Sequence, residues 1–237
     1  MRITAVSDLH GHLPEIEPTD LYLICGDISP LEIQTNYFQM ATWFSTIFIP
    51  YLKGVKAKCI VFIGGNHDFF FSNDLFECKY LGNSFERDNL LPALKKHRLT
   101  KKVHYLENSM YEYNGIKIYG CPYVENLSRW AFSLIHNKGV YDNIPQCDIL
   151  LLHQPPYIDE LGLAKFCGFE RQFGSIPLAD KIRHIKPKYV FCGHVHSGKH
   201  DKCTLTFSTG ETSLYNVAIK DEDYNVTYNP LVIDVEI

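Results

Sequence analysis

Five short apolar runs in this chain each end in residues whose side chains bind metals. Ile3-Thr4-Ala5-Val6-Ser7 leads into Asp8-Leu9-His10, and Leu21-Tyr22-Leu23-Ile24-Cys25 into Gly26-Asp27. Cys59-Ile60-Val61-Phe62-Ile63 leads into Gly64-Gly65-Asn66-His67-Asp68. Ile149-Leu150-Leu151-Leu152 ends at His153, and Tyr189-Val190-Phe191-Cys192 at Gly193-His194-Val195-His196. A short run of β-branched, aromatic and leucine residues bounded by glycine or polar residues reads as a fully buried strand. Open α/β sheets place their chemistry at the C-terminal ends of such strands. One such ending would carry little weight; five in one chain are hard to assign to chance.

The rest of the pattern fits an α/β fold. Between Glu32 and Lys53, apolar residues at Ile33, Tyr37, Met40, Ala41, Phe44, Ile47 and Phe48 predict an amphipathic helix with one face on a sheet. Strand, helix, strand through Ile63 is then a βαβ unit, so the sheet begins parallel. Phe69-Phe70-Phe71 reads as core cover beside the site, with a substrate-facing wall as the other reading. A short helix is predicted over 88–97, and strands over 103–106, 110–113 and 116–119, with Asn114-Gly115 as a hairpin turn. Residues 120–145 read as irregular, and Ser175–Ile185 as a helix stopping before Pro187. Strands are predicted again over 204–207, 213–219 and 226–235. The expected architecture is a two-layered β core flanked by helices.

With 237 residues, 46% of them hydrophobic and 21% charged, the chain suits a single domain over 1–237 with a sizeable core. A formal net charge of −4 gives no support for a general nucleic-acid surface or an anionic-membrane surface. Met1-Arg2-Ile3-Thr4-Ala5 passes straight into the first strand, so neither a secretory segment nor a membrane span is expected. The eight cysteines form no CxxC, and several sit inside apolar runs. Free thiols in a cytoplasmic protein are the simpler expectation.

Asp8-x-His10 sets two donors two residues apart at a strand end, so both can face one point as the chain leaves the sheet; Gly193-His194-x-His196 repeats this at the last core strand. Asp27 adds a second carboxylate, and Asn66 a neutral oxygen. Asp8, His10, Asp27, Asn66, His153, His194 and His196 make seven donors, too many for one tetrahedral ion and suited to two ions sharing a bridging carboxylate. Nitrogen and oxygen donors of this kind suit manganese, iron or zinc, without choosing between them.

These five motifs, in this order and rough spacing over residues 8–196, resemble the calcineurin-like metallophosphoesterases. Tyr119-Gly120-Cys121-Pro122-Tyr123, Arg129-Trp130-Ala131-Phe132 and His153-Gln154-Pro155-Pro156 look like the subgroup of brain and fetal-brain metallophosphoesterase-domain proteins and their bacterial relatives. The resemblance implies a four-layer αββα sandwich, with two mixed β-sheets flanked by helices and a two-metal centre. It would set Asp8, His10, Asp27 and His196 on one ion, and Asp27, Asn66, His153 and His194 on the other. His67 would be the leaving-group acid, with Asp68 orienting it.

The implied activity is hydrolysis of a phosphodiester, such as a cyclic nucleotide, or of a phosphomonoester, by attack of metal-bound hydroxide. Two divalent ions outweigh two carboxylates, so the site would attract phosphate oxygens within an acidic chain. A protein phosphatase or pyrophosphohydrolase would use the same chemistry. The competing class is a protein-binding scaffold on this fold, and His67 is the residue that discriminates against it. His12, Arg129 and Arg171 are candidate substrate contacts. For His12 a loop or supporting histidine is the favoured reading, and for the arginines surface ion pairing is. The substrate, the metal and the oligomeric state stay open.

Overall fold

A computed structural model describes residues 1–72, 102–134, 139–166 and 168–236. The helix expected over 88–97 lies outside these. In chain order the strands begin with β1 (Arg2–Val6), β2 (Thr19–Cys25), β3 (Ala57–Ile63) and β4 (Val103–Tyr105). Next come β5 (Ser109–Tyr113), β6 (Ile116–Cys121), β7 (Ile149–Leu152), β8 (Leu163–Phe166) and β9 (Phe169–Gln172). The last are β10 (Tyr189–Cys192), β11 (Cys203–Phe207), β12 (Gly210–Asn216) and β13 (Leu231–Asp234). The α-helices are α1 (Tyr37–Trp43), α2 (Ile49–Gly54) and α3 (Ile176–Ile185).

Two mixed sheets result, ordered β13-β1-β2-β3-β4 and β11-β12-β10-β7-β6-β5. Because β1, β2 and β3 are mutually parallel, their C-terminal ends lie on one edge; the parallel set β6, β7, β10 and β12 does the same in the second sheet. The two edges meet. Ser7 N donates to Val217 O at 2.7 Å and Ile219 N to Ser7 O at 3.1 Å, which ties the end of β1 to the chain leaving β12.

Alternation along the strands builds the layers. Ile3, Ala5, Leu21, Leu23, Cys59 and Val61 of the first sheet share a core with Ile118, Ile149, Leu151 and Phe191 of the second. The intervening residues Tyr22, Ile24, Ile60 and Phe62, and Leu150, Leu152 and Val190, belong to another cluster. That cluster also holds Tyr37, Met40, Phe44, Phe48 and Leu52 of the first helical segment and Leu178, Ala179, Ile182 and Ile185 of α3. Central strands are therefore apolar on both faces, which is why the sequence shows continuous runs instead of alternation.

The helix predicted over 32–53 begins later and is not uniform. Residues 31–35 form turns, and Asn36 starts α1 by accepting from Gln39 N at 3.1 Å. Phe44–Phe48 is a π-helical turn between α1 and α2. Pro50, near the start of α2, has no N–H to continue the α ladder, and its ring crowds the preceding turn, so the helix widens there. The Thr42 carbonyl is taken by Ser45 Oγ at 3.1 Å and Thr46 Oγ1 at 2.7 Å.

Elsewhere the expected strands form, with shifted ends. Asn114 and Gly115, at φ 51° and 83°, make the β5–β6 hairpin turn. The stretch 213–219 is strand only to Asn216, and 226–235 is strand only from Leu231. The β8–β9 hairpin was not anticipated, because its short strands leave Phe169, Glu170 and Arg171 exposed and so carry no burial signal. Helix α3 is capped by Ser175, whose Oγ accepts from Leu178 N at 3.2 Å. Ser175→Ala should cost about 1 kcal/mol, read in a thermal melt as a fall in Tm of roughly 2–4 °C.

Candidate metal centre

The donors stand where strands stop, and the backbone there is bent into unusual conformations. Asp8, His10, Asp27 and His194 have φ of 57°, 41°, 50° and 68°. A non-glycine residue in this region costs on the order of 1–3 kcal/mol and persists only where its surroundings over-determine it. Here they do. Asp8 N donates to Gly26 O at 3.0 Å and His10 N to Asp27 O at 2.8 Å, lacing the loops after β1 and β2 together. Glycines flank the carboxylates because nothing larger fits: a methyl on Gly193 would strike Asp8 Oδ2, and one on Gly65 would strike Asp27 Oδ1.

Among the described residues, three groups have donor atoms that lie within 4.8 Å of one another: Asp8, His10 and His196; His10, Asp27 and His67; and Asp27, His153 and His194. Asn66 joins the last, its Oδ1 lying 2.9 Å from His153 Nε2. All seven donors singled out in the sequence are therefore brought to one place, with Asp27 between two groups.

The chemistry of this set fits cations. His153 Nδ1 donates to Cys25 O at 2.8 Å, which turns Nε2 toward Asn66 Oδ1 and toward Asp27 Oδ2 at 3.2 Å. His196 repeats the arrangement: Nδ1 meets Asp221 O at 2.7 Å and Nε2 faces Asp8 Oδ1 at 3.3 Å. A nitrogen lone pair aimed at oxygen acceptors needs positive charge between them, from a proton or a metal ion. Without metal the proton takes that place. Burial opposes it, but the Asp27 carboxylate raises His153 to about 9, and Asp8 does the same for His196. Burial first, and then the neighbouring imidazoles, His67 for His10 and His153 for His194, lower His10 to about 4 and His194 to about 3. Among the described residues, neither nitrogen of the buried His10 ring has a hydrogen-bond partner, a costly state that a metal bond would relieve. Despite burial, Asp8 and Asp27 are held below the usual carboxylate range by the facing histidines, His196 for Asp8 and His153 for Asp27.

His67 stands at the edge of this cluster. Its Nε2 lies 4.0 Å from Asp27 Oδ2, and its backbone N–H donates to Asp27 Oδ1 at 2.8 Å. Its Nδ1 meets Gln34 Oε1 at 2.6 Å. Asp68 was expected to orient this ring, but its carboxylate is engaged elsewhere. It accepts from Ile28 N, Ser29 N, Ser29 Oγ and Gly65 N at 2.6–3.1 Å, tying the loop after β2 to the loop after β3. Burial, then the Asp27 charge, pushes Asp68 up to about 6. Gln34 was not anticipated, since a lone glutamine in a polar turn carries no sequence signal.

Around the centre, Trp130 lies 4.5 Å from the His67 ring, on a segment pinned by Ala131 N donating to Asn66 O at 3.2 Å. Tyr224, also unanticipated, packs on His10 and His196 at 4.9 and 5.3 Å. Phe70 and Phe71 are core, while Phe69 lies 5.8 Å from Trp130. Of the candidate substrate contacts, His12 is exposed, its pKa lowered by partial burial and then by Lys220. Arg129 is exposed beside Trp130. Arg171 sits on the β8–β9 hairpin with its guanidinium 4.9 Å over the Phe173 ring.

Residues 1–198 match the family model described as calcineurin-like phosphoesterase. A UPF0046 protein of Caenorhabditis elegans is 26% identical over 256 residues, covering 100% of this chain, which spans only 60% of that relative's length. Metallophosphoesterase domain-containing protein 1 of Homo sapiens is 25% identical over 248 residues, with 99% of this chain and 71% of the human protein covered. Phosphopantetheinyl hydrolase from Mycobacterium tuberculosis has the same fold, with a TM-score of 0.53 at 16% identity over 94% of this chain and 90% of that one.

The position of Asp68 makes a testable claim about the site. Asp68→Asn would set an amide N–H against backbone N–H donors, so stability should fall by about 1–3 kcal/mol. Calorimetric titration of manganese should show weaker uptake as the two loops separate. Unchanged stability and uptake would contradict the tie.

Proposed function

The chain belongs to the calcineurin-like phosphoesterase family, and from that premise we propose that it is a two-metal hydrolase of phosphodiesters. We assign Asp8, His10, Asp27 and His196 to one ion, and Asp27, Asn66, His153 and His194 to the other. Manganese, iron and zinc all suit these donors. When bound, such ions supply Lewis-acid charge to the phosphoryl oxygens and acidify water. Asp8 and Asp27 balance part of that charge, and the Nδ1 bonds of His153 and His196 keep their Nε2 atoms turned inward.

The observation that carries this reading is the orientation of His67. Its outer nitrogen is held by Gln34 while Nε2 faces the donor cluster. A ring held this way can deliver a proton from Nε2 to a departing ester oxygen, an effect worth about 10²–10⁴ in rate. No serine or cysteine nucleophile is required. A protein-binding scaffold would have no use for a proton donor so placed.

We further read residues 1–237 as one domain acting in the cytoplasm. The six described cysteines are all free, which supports a reducing compartment. Among the described residues, no helix is long and apolar enough to cross a membrane.

Bis-p-nitrophenyl phosphate with added manganese is the first assay, with turnover expected and abolished by a chelator. No turnover with manganese, iron or zinc would overturn the assignment. His67→Ala should reduce hydrolysis of esters with poor leaving groups by about 10²-fold or more, and of nitrophenyl esters far less, since nitrophenolate needs no proton. Equal losses on both would remove the acid role.

A further inference from the structure

The family match ends at residue 198, and the loop that crosses the centre comes after it. Residues 220–228 are folded around the Asp221 carboxylate. Oδ1 accepts from Asp223 N at 3.0 Å and Asn225 N at 2.9 Å, and Oδ2 from Thr227 Oγ1 at 2.9 Å. The Asp221 carbonyl meets His196 Nδ1, so the loop is fastened to a donor of the centre itself. Tyr224 sits at its tip with φ 63°, a backbone conformation that a tyrosine avoids unless its surroundings impose it.

This strained tip aims an aromatic ring at the site. Among the described residues, the ring partners of Tyr224 are His10 at 4.9 Å, His196 at 5.3 Å and His67 at 6.4 Å. Tyr224 remains 38% exposed, so the ring is not fully covered by those imidazoles. Trp130 stands against His67 at 4.5 Å. His67 therefore has an aromatic neighbour from each of two separate loops. The ring nearer the proton donor is Trp130, which allots that side to the departing group. Tyr224, over His10 and His196, is left for whatever else the phosphorus carries.

We propose that Tyr224 is a specificity-determining residue whose ring receives the second, non-departing arm of a phosphodiester, and that this arm carries a flat ring. The assignment rests on the phosphodiesterase reading above. A ring face beside a cation-rich centre offers stacking area to an aromatic or heterocyclic group and little to a methyl group. Tyr224 acts on the arm, while the chemistry stays with His67 and the metal donors.

The test compares bis-p-nitrophenyl phosphate with methyl p-nitrophenyl phosphate, which share a departing group and differ only in the second arm. For the manganese-loaded protein, Tyr224→Ala should lower kcat/KM on the bis-aryl ester about tenfold more than on the methyl ester, chiefly through KM. Tyr224→Phe, which keeps the ring, should restore most of the difference. Equal losses on both esters would show that Tyr224 merely supports the histidines and would overturn the proposal. Binding supplies an independent readout that needs no turnover. Diphenylphosphinate, titrated calorimetrically, should bind the Ala variant at least about fivefold more weakly, while dimethylphosphinate changes less than about twofold. Should the wild-type protein hydrolyse neither ester, the phosphodiesterase reading fails, and this binding comparison alone decides whether Tyr224 receives a ring. Equal binding of diphenylphosphinate by both proteins would overturn it.

Discussion

Two carboxylates buried almost completely, Asp8 at 0% and Asp27 at 2% exposure, set the terms for everything else at this edge of the fold. A charge taken out of water is costly unless it is paired and hydrogen-bonded. Asp8 draws the backbone N–H of His194 from the second sheet, and Asp27 draws that of His67 from the loop after β3. Asp8 Oδ1 also faces His196, and the other oxygen of Asp27 faces His153. Both carboxylates belong to the first sheet, and most of the nitrogen donors to the second. The site therefore helps hold the two sheets in register along the seam that Ser7 makes with Val217 and Ile219.

Close approach to those carboxylates also explains the glycines. Gly65 and Gly193 leave room for Asp27 and Asp8, while Gly64 leaves room for the Phe132 ring, whose segment carries Trp130 to His67. The motif is thus a packing requirement before it is a chemical one. Each glycine marks a point where a strand end must pass under a side chain arriving from another loop.

What was legible in the sequence is what depends on local pattern. The buried runs predicted the central strands because both faces of β1, β2, β3, β7 and β10 are covered, and the donors followed because they sit at the ends of those runs. Gln34 and Tyr224 were not legible, since each acquires meaning only when a distant loop brings it to His67 or His10. The family resemblance made Asp68 a partner for His67. In the fold its side chain turns to the Ile28 and Ser29 N–H groups, the Ser29 hydroxyl and the Gly65 N–H, four donors that outcompete one imidazole. The π-helical turn was missed for a related reason: hydrophobic spacing reads which face is buried, and does not register the N–H that Pro50 lacks.

The histidines divide by what holds them. His153 and His196 each have Nδ1 fixed by a backbone carbonyl, so their rings are set before any ion arrives. Among the described residues His10 has a hydrogen-bond partner at neither nitrogen, and it is held by packing against His67, His196 and Tyr224. His67 is held by an amide, which orients the ring without adding a negative charge beside it. A carboxylate in place of Gln34 would favour the charged imidazolium and make the proton harder to give up. A neutral partner keeps the ring in place and leaves its proton free to move. That combination suits the acid role proposed for His67, beside donors whose rings are fixed.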